Sequence, residues 1–137
     1  MSNNFEIEMR VPYAHTDLMA TVYYGNYFIY FERARVEYLR HIGFPHKELE
    51  KKGTHLTVTE TSCRYIRPAH YDDMLVIRPK IENVGRASIV ITYEIFDKET
   101  KTLLTTGMTK LAFVDEKGKV CAGPGDMIER LKQEIKK

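Results

Sequence analysis

Residues 17–43, DLMATVYYGNYFIYFERARVEYLRHIG, constrain the fold more than any other part of this chain. Apolar side chains recur at Tyr27, Phe28, Phe31, Ala34, Tyr38, Leu39 and Ile42. Steps of three and four place them on one broad face of an α-helix. The helix is expected to begin near Gly25 or Asn26, because small and amide residues suit the cap. It is expected to end at Gly43, because Gly accepts the left-handed conformation past the last turn. Such a helix must bury its apolar face, and a sheet is the expected cover. Its first N–H groups are unpaired and lie at the positive end of the dipole. They point toward the turn-like segment carrying Asp17. A carboxylate and a helix start so placed can hold a polarised carbonyl oxygen.

The remainder of the chain supplies that sheet. Phe5, Ile7, Met9 and Val11 alternate with Glu6, Glu8 and Arg10, which reads as a half-buried strand that Pro12 ends or confines to an edge. Pro45 to Gly53 reads as one short helix. Thr54 to Arg67, Met74 to Val84, Ala87 to Asp97 and Thr102 to Val114 read as four strands. Pro79, inside the second of these, suggests an edge or a bulge. Val84-Gly85-Arg86 and Asp115 to Lys119 read as tight turns, and Met127, Ile128, Leu131 and Ile135 space an amphipathic C-terminal helix. Strands joined by short turns favour antiparallel pairing. The expected class is α+β, one domain over residues 1–137, with a sheet edge that self-association would protect.

Composition narrows the partners. A net charge of +2 on 137 residues argues against a general nucleic-acid surface and leaves room for a local phosphate site. No stretch approaches the ~18 apolar residues of a membrane span, and residues 1–10 carry no apolar signal region. Cys63 and Cys121 match no metal or redox spacing, so two free thiols in a reducing cytoplasm are expected. His41, His46, His55 and His70 have no ligand spacing, so no metal is expected. Ser62-Cys63 lacks a nearby base and no Gly-x-Ser-x-Gly elbow occurs, which discounts a serine or cysteine hydrolase.

Two strings now carry a family resemblance. Tyr13-x-x-Thr16-Asp17 with Val22-Tyr23-Tyr24-x-Asn26-Tyr27 and Phe31-Glu32-Arg33-Ala34-Arg35 resembles the hotdog-fold acyl-CoA thioesterases of the 4-hydroxybenzoyl-CoA thioesterase family. Tyr65-Ile66-Arg67-Pro68-Ala69 with Asp72-Asp73 and Leu75, then Gly85-Arg86-Ala87-Ser88, looks like that family's central strands. The resemblance spans roughly residues 10–114. It implies a hotdog fold, a five-stranded antiparallel sheet wrapped around the long helix. It also implies dimers with active sites at the interface, often paired again into tetramers. By this resemblance Asp17 is the catalytic carboxylate and the backbone amide of Tyr24 binds the thioester oxygen. Two positions depart from the family's usual pattern: many relatives have His in place of Tyr24 and Gly in place of Ala20.

Hydrolysis of an acyl-CoA needs an attacking group and donors for the oxyanion. One preorganised donor is worth ~3 kcal/mol of barrier. Asp17 suits attack, either as nucleophile or as general base on water, and it equally suits a plain turn cap. Tyr27, one turn from the helix start, is the preferred wall of an acyl pocket, against the alternative that the aromatic set is core. Arg86 and Ser88 follow a tight turn and suit the phosphates of coenzyme A, with Arg64 and Arg67 as further candidates. His15, two residues before Asp17, would share its side in an extended segment and could tune the site, against the alternative that it faces solvent. No cofactor is expected, since coenzyme A is part of the substrate. The alternatives are a thioesterase for acyl carrier protein and a non-catalytic acyl-CoA-binding module. A hotdog dehydratase is disfavoured because Asp17 to Val22 lacks the Asn and His of the Asp-x-Asn-x-x-His motif.

Overall fold

The computed structural model describes residues 5–135, so residues 1–4 of the stretch searched for an apolar signal region lie outside the described residues. The strands are β1 (Ile7–Arg10), β2 (His55–Tyr65), β3 (Met74–Val84), β4 (Ser88–Asp97) and β5 (Leu103–Val114). The helices are α1 (Tyr27–His41), α2 (His46–Lys51) and α3 (Gly125–Ile135). All neighbouring strands are antiparallel, in the spatial order β1-β3-β4-β5-β2. This is the expected five-stranded sheet around one long helix. No described helix is long and apolar enough to cross a membrane.

Period-two alternation sets the inner face of the sheet. Ile89, Ile91, Tyr93 and Ile95 of β4 are fully buried, and Leu75, Ile77 and Ile81 of β3 lie in register beside them. Pro79 faces Tyr93 at a point where β1 has already ended, so no ladder hydrogen bond from that side is lost. A register shift follows between Ile81 and Asn83. Over this face lies α1, burying Tyr27, Tyr30, Phe31, Ala34, Arg35, Tyr38 and Leu39. The stripe differs from the expected one at one place: Tyr30 is fully buried and Phe28 is 37% exposed. Phe28 stands one residue off the row through Tyr27, Tyr30, Phe31 and Ala34, at the rim of the interface.

The centre of the packing is aromatic. The Phe31 ring stacks on Tyr93 with centroids 4.5 Å apart, over the backbone of Gly107. Behind it, the buried Arg35 donates to the Tyr93 hydroxyl at 3.2 Å. Gly43 ends the helix with φ +100°, as its position predicts. The helix start differs in detail from expectation. A 3₁₀ turn at Tyr24–Asn26 runs directly into α1, and Asn26 makes no side-chain cap. Its amide is used elsewhere, as described below. Pro45 likewise precedes α2 as its cap residue.

The two sheet edges differ. β1 is a four-residue edge. β2 is an eleven-residue edge, paired on one side only, with exposed residues along most of its length.

Candidate active site

Asp17 sits in a tight turn built from its own neighbours. Its N–H donates to the Thr21 carbonyl at 2.9 Å, and Ala20 N–H donates back to the Asp17 carbonyl at 3.0 Å. A bridge between Thr16 and Val22 closes the base of this hairpin. The turn is anchored to a segment fifty residues away in sequence. Val22 N–H donates to the Ala69 carbonyl at 2.9 Å, Tyr71 N–H donates to the Ala20 carbonyl at 3.0 Å, and Thr21 bridges His70.

The turn requires a left-handed residue, and Ala20 takes φ +62° there. Ala20, where the family resemblance leads one to expect Gly, therefore keeps a glycine-like backbone. That conformation costs an L-residue roughly 1–2 kcal/mol, against roughly 0.5–1 kcal/mol of chain entropy for a glycine. Ala20→Gly is expected to raise the melting temperature by about 3 °C, read by thermal unfolding.

Within the turn, the carboxylate is held from one side. Asp17 Oδ1 accepts Met19 N–H at 2.9 Å, Thr21 Oγ1–H at 3.2 Å and Thr21 N–H at 3.4 Å. Among the described residues, Oδ2 has only the Thr21 hydroxyl at 3.4 Å. The Met19 hydrogen bond, with those from Thr21, holds this carboxyl below its ordinary value, so it is ionised at neutral pH. The turn-cap role and an open carboxylate oxygen therefore coexist on one side chain. Leu18 and Met19 beside it are exposed.

The helix start supplies donors. Tyr23 N–H is taken by the His15 carbonyl at 2.9 Å, and Asn26 N–H by the Tyr23 carbonyl at 2.8 Å. Between them, Tyr24 N–H has no hydrogen-bond partner among the described residues. It opens a 3₁₀ turn that is continuous with fifteen residues of α-helix, so it lies at the positive end of that dipole. The Tyr24 side chain is exposed and packs on Tyr23, with centroids 4.6 Å apart. Its carbonyl accepts the Tyr65 hydroxyl at 3.0 Å.

A cavity of about 240 Å³ opens beside this helix start, lined by Val22, Tyr24, Tyr27, Tyr65, Ile66, Arg67 and Pro68. Tyr27 is both wall and core. It is buried, and its hydroxyl accepts Ala69 N–H at 3.2 Å. Burial, chiefly, raises its pKa, and the nearby Cys63 and Asp17 add to this. Tyr65 packs edge-on against it at 5.2 Å. Burial pushes the Tyr65 hydroxyl up to about 12 and also raises the Cys63 thiol, which opposes formation of a reactive thiolate.

Arg86 and Ser88 lie elsewhere. They close the β3–β4 hairpin, where Gly85 N–H donates to the Ser88 carbonyl at 2.7 Å. Ser88 faces Ala112, whereas Ile95 faces Thr105, the partner of Tyr65 in β2. From Ser88 to Ile95 is seven residues of β4, about 23 Å at ~3.3 Å per residue. Within one chain these two residues stand at the end of the sheet away from Tyr24 and Tyr27.

Two contacts escaped the sequence. His15, read as either tuning the site or facing solvent, is half-buried, and its Nδ1 lies 2.9 Å from the Tyr30 hydroxyl. Tyr65 enters the site because strand β2 ends beside the helix start. The one local clue was Thr21, a hydroxyl four residues after Asp17.

Comparison with known proteins bears on the family and the fold. The family model of the thioesterase superfamily matches residues 19–104. The acyl-CoA thioester hydrolase YbgC of Escherichia coli O6:H1 is 35% identical over 130 residues, covering 94% of this chain and 96% of that protein. The acyl-CoA thioesterase YbgC of Haemophilus influenzae is 31% identical over 116 residues, 84% of each chain. The DHNA-CoA thioesterase structure from Staphylococcus aureus superposes with a TM-score of 0.89 at 32% identity, covering 93% of this chain and 88% of that one. Sequence likeness along nearly the whole length and a shared architecture lead to one assignment: the chain belongs to the thioesterase superfamily.

Proposed function

We propose that this protein hydrolyses acyl-CoA thioesters to free acid and coenzyme A, using Asp17 and the Tyr24 amide. The observation that carries this reading is an ionised carboxylate, its Oδ2 met only by the Thr21 hydroxyl among the described residues, together with the Tyr24 N–H, unpartnered among them, in the 3₁₀ turn that runs into α1. The N–H would hold the carbonyl oxygen of the thioester and stabilise the oxyanion as attack proceeds, at ~3 kcal/mol for one such donor. Asp17 would attack the acyl carbon or take the proton of an attacking water, and both routes need its ionised form. The cavity between Tyr27, Tyr65 and Pro68 would take the acyl group nearest the thioester.

The working unit in this reading is a homodimer joined through β2, with pairing of dimers as a further step. β2 presents a long unpaired edge, and Val58, Tyr65 and Ile66 at or near it are 48%, 46% and 46% exposed. Such an edge recruits another strand unless it is protected. Antiparallel pairing of β2 with a second β2 about a twofold axis reverses the ends of the partner sheet. Arg86 and Ser88 of the partner subunit would then come to the side of this chain's Tyr24, where an Arg can meet phosphates of coenzyme A. Val58→Lys, an inward charge on the edge strand, is expected to give monomers by sedimentation and little thioesterase activity. Dimers that persist with full activity would place the interface elsewhere.

The direct test is thiol release from short, medium, long and aromatic acyl-CoAs by the purified protein. Turnover on any of them supports the reading. Inactivity on all of them, with turnover on carrier-protein thioesters, would transfer it to that substrate class.

A further inference from the structure

We infer that His15 is a positioning residue, one that locks the Asp17 turn onto the start of α1 through Tyr30 and Asn26. The inference rests on the role proposed above for Asp17. Besides its N–H bond to the Pro12 carbonyl at 3.0 Å, three hydrogen bonds tie this residue to the helix start. Its carbonyl accepts Tyr23 N–H at 2.9 Å and Asn26 Nδ2–H at 2.9 Å, which fills both lone pairs. Its Nδ1 lies 2.9 Å from the hydroxyl of Tyr30, and the two rings pack with centroids 5.6 Å apart.

Each bond spans the gap that matters. Asp17 follows His15 by two residues, and Tyr24 lies between Tyr23 and Asn26. The bonds from Tyr23 and Asn26 therefore tie the 3₁₀ turn Tyr13–His15, which leads into the carboxylate turn, to the helix start on both sides of the open amide. The Tyr30 bond adds a contact one turn deeper in α1, from a side chain that is fully buried. Asn26 thus gives up a helix cap to make this link.

The direction of the side-chain bond follows from accounting. The Tyr30 hydroxyl is buried, and burial raises its pKa to about 12, so it keeps its proton. Among the described residues its one hydrogen-bond partner is His15 Nδ1. If Nδ1 carried a proton, the buried O–H would have no acceptor, which is costly. Tyr30 therefore donates and His15 carries its hydrogen on Nε2. Reacting groups must hold their alignment closely, and a shift of about 1 Å can cost a hundredfold in rate.

Four variants test this, with kcat, KM and thermal unfolding measured on one acyl-CoA. Tyr30→Phe removes only the hydroxyl, and His15→Leu removes only the ring acceptor. Each is expected to lower kcat about tenfold or more with KM within about twofold. The double variant is expected to be no slower than the worse single, since the pair acts as a unit. His15→Asn offers an amide oxygen near the Nδ1 position and is expected to recover most of the rate. A merely structural bond would lower the melting temperature and leave kcat intact below the transition, and that result overturns the inference. Equal loss in His15→Asn and His15→Leu does so too. An active Asp17→Asn variant would instead remove the reading of Asp17, a separate failure.

Discussion

Asp17→Asn is expected to fold normally and to lose acyl-CoA turnover by about 10²–10⁴-fold, with most of the loss in kcat. The substitution separates the two roles that the turn gives this side chain. Asn keeps an oxygen where Oδ1 accepts Met19 N–H and the Thr21 donors, so the turn retains its cap. What changes is Oδ2, the oxygen left nearly free, which becomes a neutral amide group that neither attacks nor takes a proton. A cap-only Asp17 predicts an unchanged rate in this variant. A catalytic one predicts an unchanged melting temperature and a collapsed rate. Measuring both on the same preparations against the acyl-CoA panel decides between them.

The sequence carried the sheet and the long helix because both rest on periodicity. β4 shows why: Ile89, Ile91, Tyr93 and Ile95 alternate without exception and all four are buried. Asp17 and Tyr24 were legible as a motif, through spacing shared with a known family. The links between them were not. Asn26 has the chemistry of a helix cap, and only the fold reveals that the His15 carbonyl is the better acceptor for its amide. Among the described residues the His15 ring finds its partner fifteen positions on, because Tyr30 meets it only once α1 has packed against the turn. Arg86 and Ser88 were grouped with the site by residue type, whereas antiparallel register carries them to the far end of the sheet. In the dimer proposed above, these two residues would reach the site of the other subunit. The substituted Ala20 hid its meaning as well, since a positive φ at a non-glycine residue leaves no trace in composition.

The largest effect on stability is expected from a single methyl group, in Gly107→Ala. A Cβ at this position would stand 2.3 Å from Cε2 and Cζ of Phe31 and 3.0 Å from the Ser62 carbonyl oxygen. Neither neighbour can give way cheaply. Ser62 O is backbone of the β2–β5 ladder, where Cys63 faces Gly107. The Phe31 ring is held by Tyr93, the cross-strand neighbour of Gly107, stacked at 4.5 Å with the planes 11° apart. Tyr93 in turn receives a hydrogen bond from the buried Arg35. Relief therefore requires the ring to leave its stack or two strands to part. Overpacking of this kind costs typically 1–3 kcal/mol, occasionally more; the upper end is expected here, a fall of about 10 °C in melting temperature. The cause can be isolated with Phe31→Leu, which makes room at the cost of a cavity. If the Phe31 clash is responsible, Gly107→Ala with Phe31→Leu will be less destabilised than the two single changes added together, by about 1 kcal/mol or more. Simple additivity would instead locate the damage in the strand pairing. Because Phe31 lies one turn beyond Tyr27 on α1, displacement of its ring would also tilt the helix start on which the proposed oxyanion site depends. Activity measured well below the melting transition is therefore expected to fall in Gly107→Ala and to recover in part in the double variant.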